Sequence, residues 1–83
     1  MELSRHVLRR TDANRNMDRF YELTLEPTLF GQWAVVRRWG RFQSNGRTRE
    51  DWFDAPAPAL AFIGQLHSQK VKRGYQDFGA AGC

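Results

Sequence analysis

Cysteine is nearly absent from this 83-residue chain, in which Cys83 is the one thiol. A single thiol excludes an intrachain disulfide framework and cannot support a structural zinc site. Long apolar runs are also missing, since no stretch approaches the about 20 residues that a membrane-spanning helix needs. Arg5, His6 and Arg9 interrupt any apolar segment near the N-terminus, which therefore lacks the pattern of a signal peptide. These absences predict a bacterial or nuclear interior as the compartment, of which we take the cytoplasm as the location, and no membrane partner.

Groups arranged for catalysis are scarce as well. His6 and His67 show no metal-ligand spacing such as His-x-x-x-His, and Gly40 and Gly46 do not fit a phosphate-binding loop. Cys83 lacks a fixed base that would make it a nucleophile. We therefore predict a protein that is not an enzyme, with no catalytic residues, no cofactor, no metal site and no small-molecule substrate.

Lysine is rare, but arginine is not. The chain has eleven arginines against two lysines, and its formal net charge is +4. The planar guanidinium group suits bidentate contacts with phosphate or carboxylate better than an ammonium group does. This balance indicates a nucleic acid or an acidic protein as partner, although the same charge is also typical of an ordinary solvated surface.

Hydrophobic alternation predicts most of a sheet. Residues 3–11 predict an opening edge strand and residues 12–18 a polar loop. Residues 19–26 alternate cleanly and predict a strand with Leu23 and Leu25 on its apolar face. A central strand follows, and Asn45-Gly46 predicts a tight hairpin that joins it to an antiparallel strand over residues 47–54.

Helical spacing begins after the prolines. Residues 59–72 predict an amphipathic helix that Gly74 ends, and residues 75–78 predict a short final strand. The fold class is therefore α+β, an antiparallel sheet of four to five strands with one helix packed on one face. The predicted core residues are Leu23, Leu25, Phe62, Ile63 and Leu66. We divide the single domain into an N-terminal edge strand and polar loop (1–18), a main body (19–78) and a flexible tail (79–83).

The stretch from Gln32 to Arg41 is the predicted central strand, and the other elements are assigned relative to it. In a regular strand Trp33, Arg37, Trp39 and Arg41 share one face, which passes from core to solvent. Two interpretations of Trp39 stay open. Its ring closes the end of the core with arginines extended over its edge, or it offers an aromatic plane for recognition.

The ordered motifs of this stretch resemble the WGR domain, which is named for the tripeptide found here as Trp39-Gly40-Arg41. The resemblance runs from about residue 19 to residue 76 and includes the strand that begins at Trp33. One departure follows the tripeptide, where Phe42-Gln43 stand in place of the family's usual aliphatic residue and glycine.

What the resemblance implies is a module that accompanies the catalytic part of poly(ADP-ribose) polymerases and also occurs in small bacterial proteins. In the polymerases the matching tryptophan packs against the end of a broken DNA strand, and the neighbouring arginine contacts DNA and an adjoining domain. Those roles fall on Trp39 and Arg41. The ADP-ribosyl transferase part has no counterpart in this chain.

Two functions are consistent with these observations. The first is a non-catalytic nucleic-acid-binding module that prefers DNA ends or breaks. The second is an adaptor that docks an acidic protein on the same basic face, and self-association as a homodimer fits either. The predicted nucleic-acid-binding residues are Trp39, Gly40, Arg41, Arg37, Arg38, Arg47, Arg49, Lys70, Lys72 and Arg73. We expect the five strand arginines among them to have neighbouring side chains.

Overall fold

The computed structural model describes residues 4–78. Five strands form one antiparallel sheet in the order β4-β3-β2-β1-β5, and a single long helix packs on one face. The chain is therefore α+β, as predicted. Its elements are β1 (Ser4–Asp12), a 3-10 turn (Ala13–Arg15), β2 (Met17–Pro27), β3 (Trp33–Arg41), β4 (Arg47–Phe53), α1 (Pro56–Lys72) and β5 (Gln76–Asp77).

The core lies between α1 and the three inner strands. Leu8 of β1, Leu23 of β2 and Val35 of β3 are fully buried beneath the helix. Because directly paired residues in an antiparallel sheet share a face, the register of Leu8 with Tyr21 and of Leu25 with Val35 defines the side that α1 covers. We call this side the helix face and the opposite side the open face.

Apolar residues at helical spacing fasten α1 to the sheet. Ala59, Ile63 and Leu66 are buried, and Phe62 is half-buried with its ring 5.5 Å from that of Phe53. The helix begins at Pro56, earlier than predicted, because a proline at the first helical position removes only an N–H that has no partner there. It ends before Gly74, whose φ of 97° is the left-handed conformation predicted for that glycine.

β1 is not the edge strand that the sequence predicts. It lies between β2 and β5, and Leu8 and Arg9 pair with Asp77 and Gln76 of the short final strand. The predicted loop over residues 12–18 is also shorter, because β1 continues to Asp12 and β2 begins at Met17. Because the short 3-10 turn connects β1 directly to β2, every residue of β1 pairs with a residue of β2.

The β3–β4 connection turns earlier than Asn45-Gly46. The Ser44 amide donates to the Arg41 carbonyl at 3.0 Å, and Gln43 takes the positive φ, at 69°. The predicted antiparallel pairing of β3 with β4 is confirmed, and Gly46 also has a positive φ, at 69°, but the turn itself forms earlier, over Phe42 and Gln43. A longer loop returns the chain so that Trp39 faces Arg47 across the strands.

Two glycines, one on each side of this loop, bring backbone against backbone. A Cβ added to Gly40 would lie 2.9 Å from the Cα of Gly46, and one added to Gly46 would overlap the Trp39 carbonyl oxygen. Only hydrogen fits at either position, so this contact fixes the path of the chain next to Trp39.

Over residues 4–78, no helix combines the length and apolar character that crossing a bilayer requires. The tail predicted for residues 79–83 lies outside the described residues.

Candidate nucleic-acid interface

Trp39 is neither a core plug nor a free aromatic plane. It is half-buried on the helix face and packs against the edge of the core. Its ring lies 6.3 Å from Tyr21, and Tyr21 in turn meets Tyr75 edge-on at 6.3 Å. The β-sheet register explains the cluster, because Tyr21 of β2 pairs directly with Trp39 of β3.

A row of arginines crosses the sheet one step beyond this cluster. Arg10 pairs with Arg19, and Arg19 pairs with Arg41, so three guanidinium groups extend from the helix face of three adjacent strands. Within residues 4–78, none of the three side chains forms a direct hydrogen bond or ion pair, although the charge of Arg41 reaches the Asp18 carboxylate and helps to lower its pKa. The row is thus a run of like charges beyond the C-terminal end of α1.

Two open hollows flank Trp39, and they share Trp39 and Arg19. The first has a volume of about 420 Å³ and the second about 480 Å³. Among the described residues, no carboxylate lines either hollow. The basic residues that line them, which together we call the basic end, are Arg10, Arg19, Arg41, Arg47, Lys70 and Arg73.

Lys70 lines the first hollow together with Tyr21 and Tyr75. Its ammonium group is 4.5 Å from the ring centre of Tyr21 and 5.5 Å from that of Tyr75. Burial lowers the pKa of Lys70, and the positive charges of Arg73 and Arg37 lower it further. The negative charge of a bound phosphate or carboxylate would oppose both effects and raise the pKa of Lys70.

Three of the predicted arginines are matched by carboxylates. Arg37 lies on the same face as Trp39, but it donates to Asp51 at 2.9 Å, and Arg49 lies 3.6 Å from the same carboxylate. Arg38 points to the open face, where it donates to Glu22 at 3.0 Å. The expectation of five neighbouring arginines is therefore wrong, since alternation along β3 sends adjacent side chains to opposite faces.

The remaining predicted residues divide between the hollows and the surrounding surface. Gly40, Arg41 and Arg47 line the second hollow, and Lys70 and Arg73 line the first. Lys72 is exposed on α1 and lines neither.

Arg10 and Arg19 escaped the sequence analysis. Arg10 has the strand parity of Leu8 and Arg19 that of Tyr21, which places both on the helix face. Alternation along each strand is visible in the sequence, but it brings Arg10 beside Arg19 only once the register of the β1–β2 hairpin is known. The polar run between those strands left that register open.

The two histidines show no ligand spacing in the sequence, yet the fold brings them together. Their ring centres lie 5.5 Å apart, and Nε2 of His67 lies 2.8 Å from a carboxylate oxygen of Asp77. Packing of α1 on the sheet brings His67 beside His6, and pairing of β1 with β5 brings Asp77 to the same place. Local spacing encodes neither contact.

A model of the WGR domain family matches residues 4–81. This chain is a WGR domain. The matched range includes β1, which the tripeptide-based resemblance left out. Membership supports a nucleic-acid-binding type of module in general, and in the poly(ADP-ribose) polymerases the WGR domain is non-catalytic.

One curated relative is similar over most of the WGR domain. It is the uncharacterized protein y4dW of Sinorhizobium fredii (strain NBRC 101917 / NGR234), 38% identical over 72 residues. The alignment covers 87% of this chain but 35% of that protein, so the chain spans about a third of the relative's length. No solved structure matches the chain significantly.

Proposed function

We propose that this WGR domain is a non-catalytic module that binds DNA, with a preference for strand ends, through its basic end and Trp39. One observation carries the proposal. Trp39 stands between two hollows that are lined, within residues 4–78, by six basic side chains and by no carboxylate. We also propose that the protein acts in a bacterial cytoplasm, where chromosomal DNA lies.

The charge distribution favours a polyanion over a small acidic ligand. Arg10, Arg19 and Arg41 follow one another across three strands. Successive phosphates of a DNA strand can meet such a row together, and their binding would relieve the repulsion among its members. Phosphate contacts of this kind supply affinity without reading sequence.

Trp39 supplies what a charged row alone lacks. Its ring centre lies 6.3 Å from that of Tyr21, and the residue lines both hollows. A terminal base or sugar can stack on such a plane, whereas bases inside a continuous duplex are already stacked on one another. This difference is the physical basis of the proposed preference for ends.

The test compares closed-circular, blunt-ended and overhanging DNA in a gel-shift series. Trp39→Ala should weaken binding to free ends by about 1–3 kcal/mol while affecting circular DNA little. Trp52→Ala is the matched control, because Trp52 is 47% exposed on the open face, away from the basic end. Circular dichroism at the assay temperature verifies that each variant is folded.

Equal loss of binding to circular and linear DNA in Trp39→Ala would contradict the end preference. The adaptor alternative predicts a different result, in which an acidic polypeptide binds as well as DNA does and free ends give no advantage. A WGR domain that binds polyglutamate and blunt DNA equally tightly would favour that alternative.

A further inference from the structure

His6, His67 and Asp77 come from three separate elements and meet at one place. His6 belongs to β1, His67 to α1 and Asp77 to β5, and one donor atom from each lies within 4.8 Å of the others. The meeting point is on the helix face, since His6 shares the parity of Leu8 and Asp77 pairs with Leu8 directly.

We propose that these three residues bind a zinc ion, in a site that does not depend on the proposed DNA binding. Two imidazoles and one carboxylate are a donor set typical of zinc with an open coordination position. Softer thiolate ligands are not involved, and an all-oxygen set, which calcium and magnesium prefer, is not offered.

The geometry needs only a small adjustment. Donor atoms bound to one tetrahedral zinc ion are separated by about 3.3 Å, as zinc–ligand distances near 2 Å require. His67 and Asp77 already approach to 2.8 Å, so they must part slightly, and His6 must close the remaining gap by rotating its side chain. The hydroxyl of Ser4 lies 3.4 Å from Nε2 of His6 and leaves that ring weakly held.

Solvent can reach the cluster. The side chain of His67 is 29% exposed and that of Asp77 is 54% exposed. An ion can therefore enter without unfolding, and water can complete its coordination.

Zinc would join elements that are otherwise weakly connected. β5 is a two-residue strand whose pairing with β1 involves Leu8 and Arg9. A shared ion would tie it to α1 as well as to the sheet. Binding to the folded state alone raises the unfolding temperature by mass action.

Zinc binding can be assigned to this cluster directly, because His6 and His67 are the chain's two histidines. Calorimetry and thermal melts with zinc chloride should use the tag-free full chain. Cys83→Ser provides a background in which the single thiol cannot act as a ligand. We expect about one zinc ion per chain and, at a hundredfold excess over Kd, a rise in Tm of about 10 °C or more.

His6→Gln and Asp77→Asn should each weaken zinc binding at least about tenfold and abolish most of the rise in Tm. Asp77→Asn is the sharper variant, because its amide keeps a hydrogen bond with His67 while it removes the anionic ligand. Asp54→Asn is the matched control, since it makes the same chemical change at an exposed position after β4 and should leave zinc binding unchanged.

Cobalt substitution gives an independent readout, since visible absorption bands report four-coordinate cobalt in the same ligands. His67→Gln should weaken zinc binding in the same way. If that variant fails to fold, His6→Gln and Asp77→Asn still decide. No saturable zinc binding up to millimolar concentration, or equal binding by the parent and His6→Gln, would overturn the proposal. In that case the His67–Asp77 contact is an ordinary link between helix and strand.

Discussion

Gln43 holds a backbone conformation that suits glycine better. Its φ of 69° places it in the left-handed region, which disfavours any residue with a Cβ. The position is the second after the tripeptide, where WGR domains commonly have glycine. A residue with a Cβ at this φ leaves local strain in an exposed loop.

Gln43→Gly should stabilise the WGR domain by about 0.5–1 kcal/mol, because relief of the left-handed strain exceeds the added chain entropy. Thermal melts should show a rise in Tm of about 2–8 °C. Gln65→Gly is the matched control at an exposed position of α1, and there the same chemical change should destabilise by up to about 1 kcal/mol. Changes of equal sign in the two variants would contradict the assignment of strain to Gln43.

Asp18 shows how a single ion pair links stability to pH. Arg9 donates to both of its carboxylate oxygens, at 2.8 and 2.7 Å. This hydrogen bonding lowers the pKa of Asp18, the charges of Arg9 and Arg41 lower it further, and partial desolvation opposes them. Because the folded pKa lies below the unfolded value of about 3.9, the pair stabilises the fold above that value. The contribution is lost as pH falls through the folded pKa.

Asp18→Asn should therefore lower Tm near neutral pH, and the difference from the parent should shrink as pH falls below about 4. Thermal melts in a series of buffers measure this difference directly. Asp54→Asn, at an exposed position after β4, serves as the control for removal of a carboxylate. A difference that stays constant down to acid pH would show that the Arg9–Asp18 pair does not couple stability to protonation.

α1 is the element on which the core depends, since its buried residues Ala59, Ile63 and Leu66 complete the core cluster on the helix face. Leu66 is 8% exposed and packs in the same cluster as Leu23 and Val35. Leu66→Ala should cost about 2–5 kcal/mol of unfolding free energy. Chemical denaturation measures this loss, and Leu60→Ala, at a position of α1 that is 49% exposed, is the control. Similar losses in both variants would mean that the helix is packed on a different side.

Local patterns predicted the elements well, because alternation and helical spacing depend on neighbouring residues. The shared face of Trp39 and Arg41, the strand containing Leu23 and the final short strand are all confirmed. Leu23, Leu25, Ile63 and Leu66 are buried as predicted, and Phe62 is half-buried at the edge of the core.

What the sequence could not provide is long-range pairing. The pairing of Arg10 with Arg19 follows only from the register of the β1–β2 hairpin. The ion pair of Arg37 with Asp51 follows only from the register of β3 with β4. The meeting of His6 with Asp77 needs β5 to return beside β1. Each of these contacts depends on residues far apart in the chain, so no local periodicity encodes it.

Across the whole molecule, acidic and basic groups are unevenly divided. The carboxylates of Asp51, Glu22 and Asp18 are engaged by arginines, while no carboxylate of the described chain lines the hollows of the basic end. A net charge of +4 therefore understates the potential at that end. Such a concentration of charge should make DNA binding strongly dependent on salt.

If about 3–5 phosphates are neutralised, the logarithm of the DNA-binding constant should fall against that of salt concentration with a slope of about −3 to −4.5. Arg41→Gln should flatten this slope by about one. Arg38→Gln is the matched control, because Arg38 lies on the open face beside Glu22. A slope near zero, or equal flattening by both variants, would contradict a DNA contact at the basic end.

The contact between Gly40 and Gly46 has a consequence for how this WGR domain can diversify. Because a methyl group at either position would collide with main-chain atoms, neither glycine can be exchanged first to make room for the other. Substitutions are therefore tolerated at the neighbouring side chains rather than at Gly40 and Gly46. Arg41 and Arg47 can be altered one mutation at a time, so the charge of the basic end can change while the backbone beside Trp39 stays fixed.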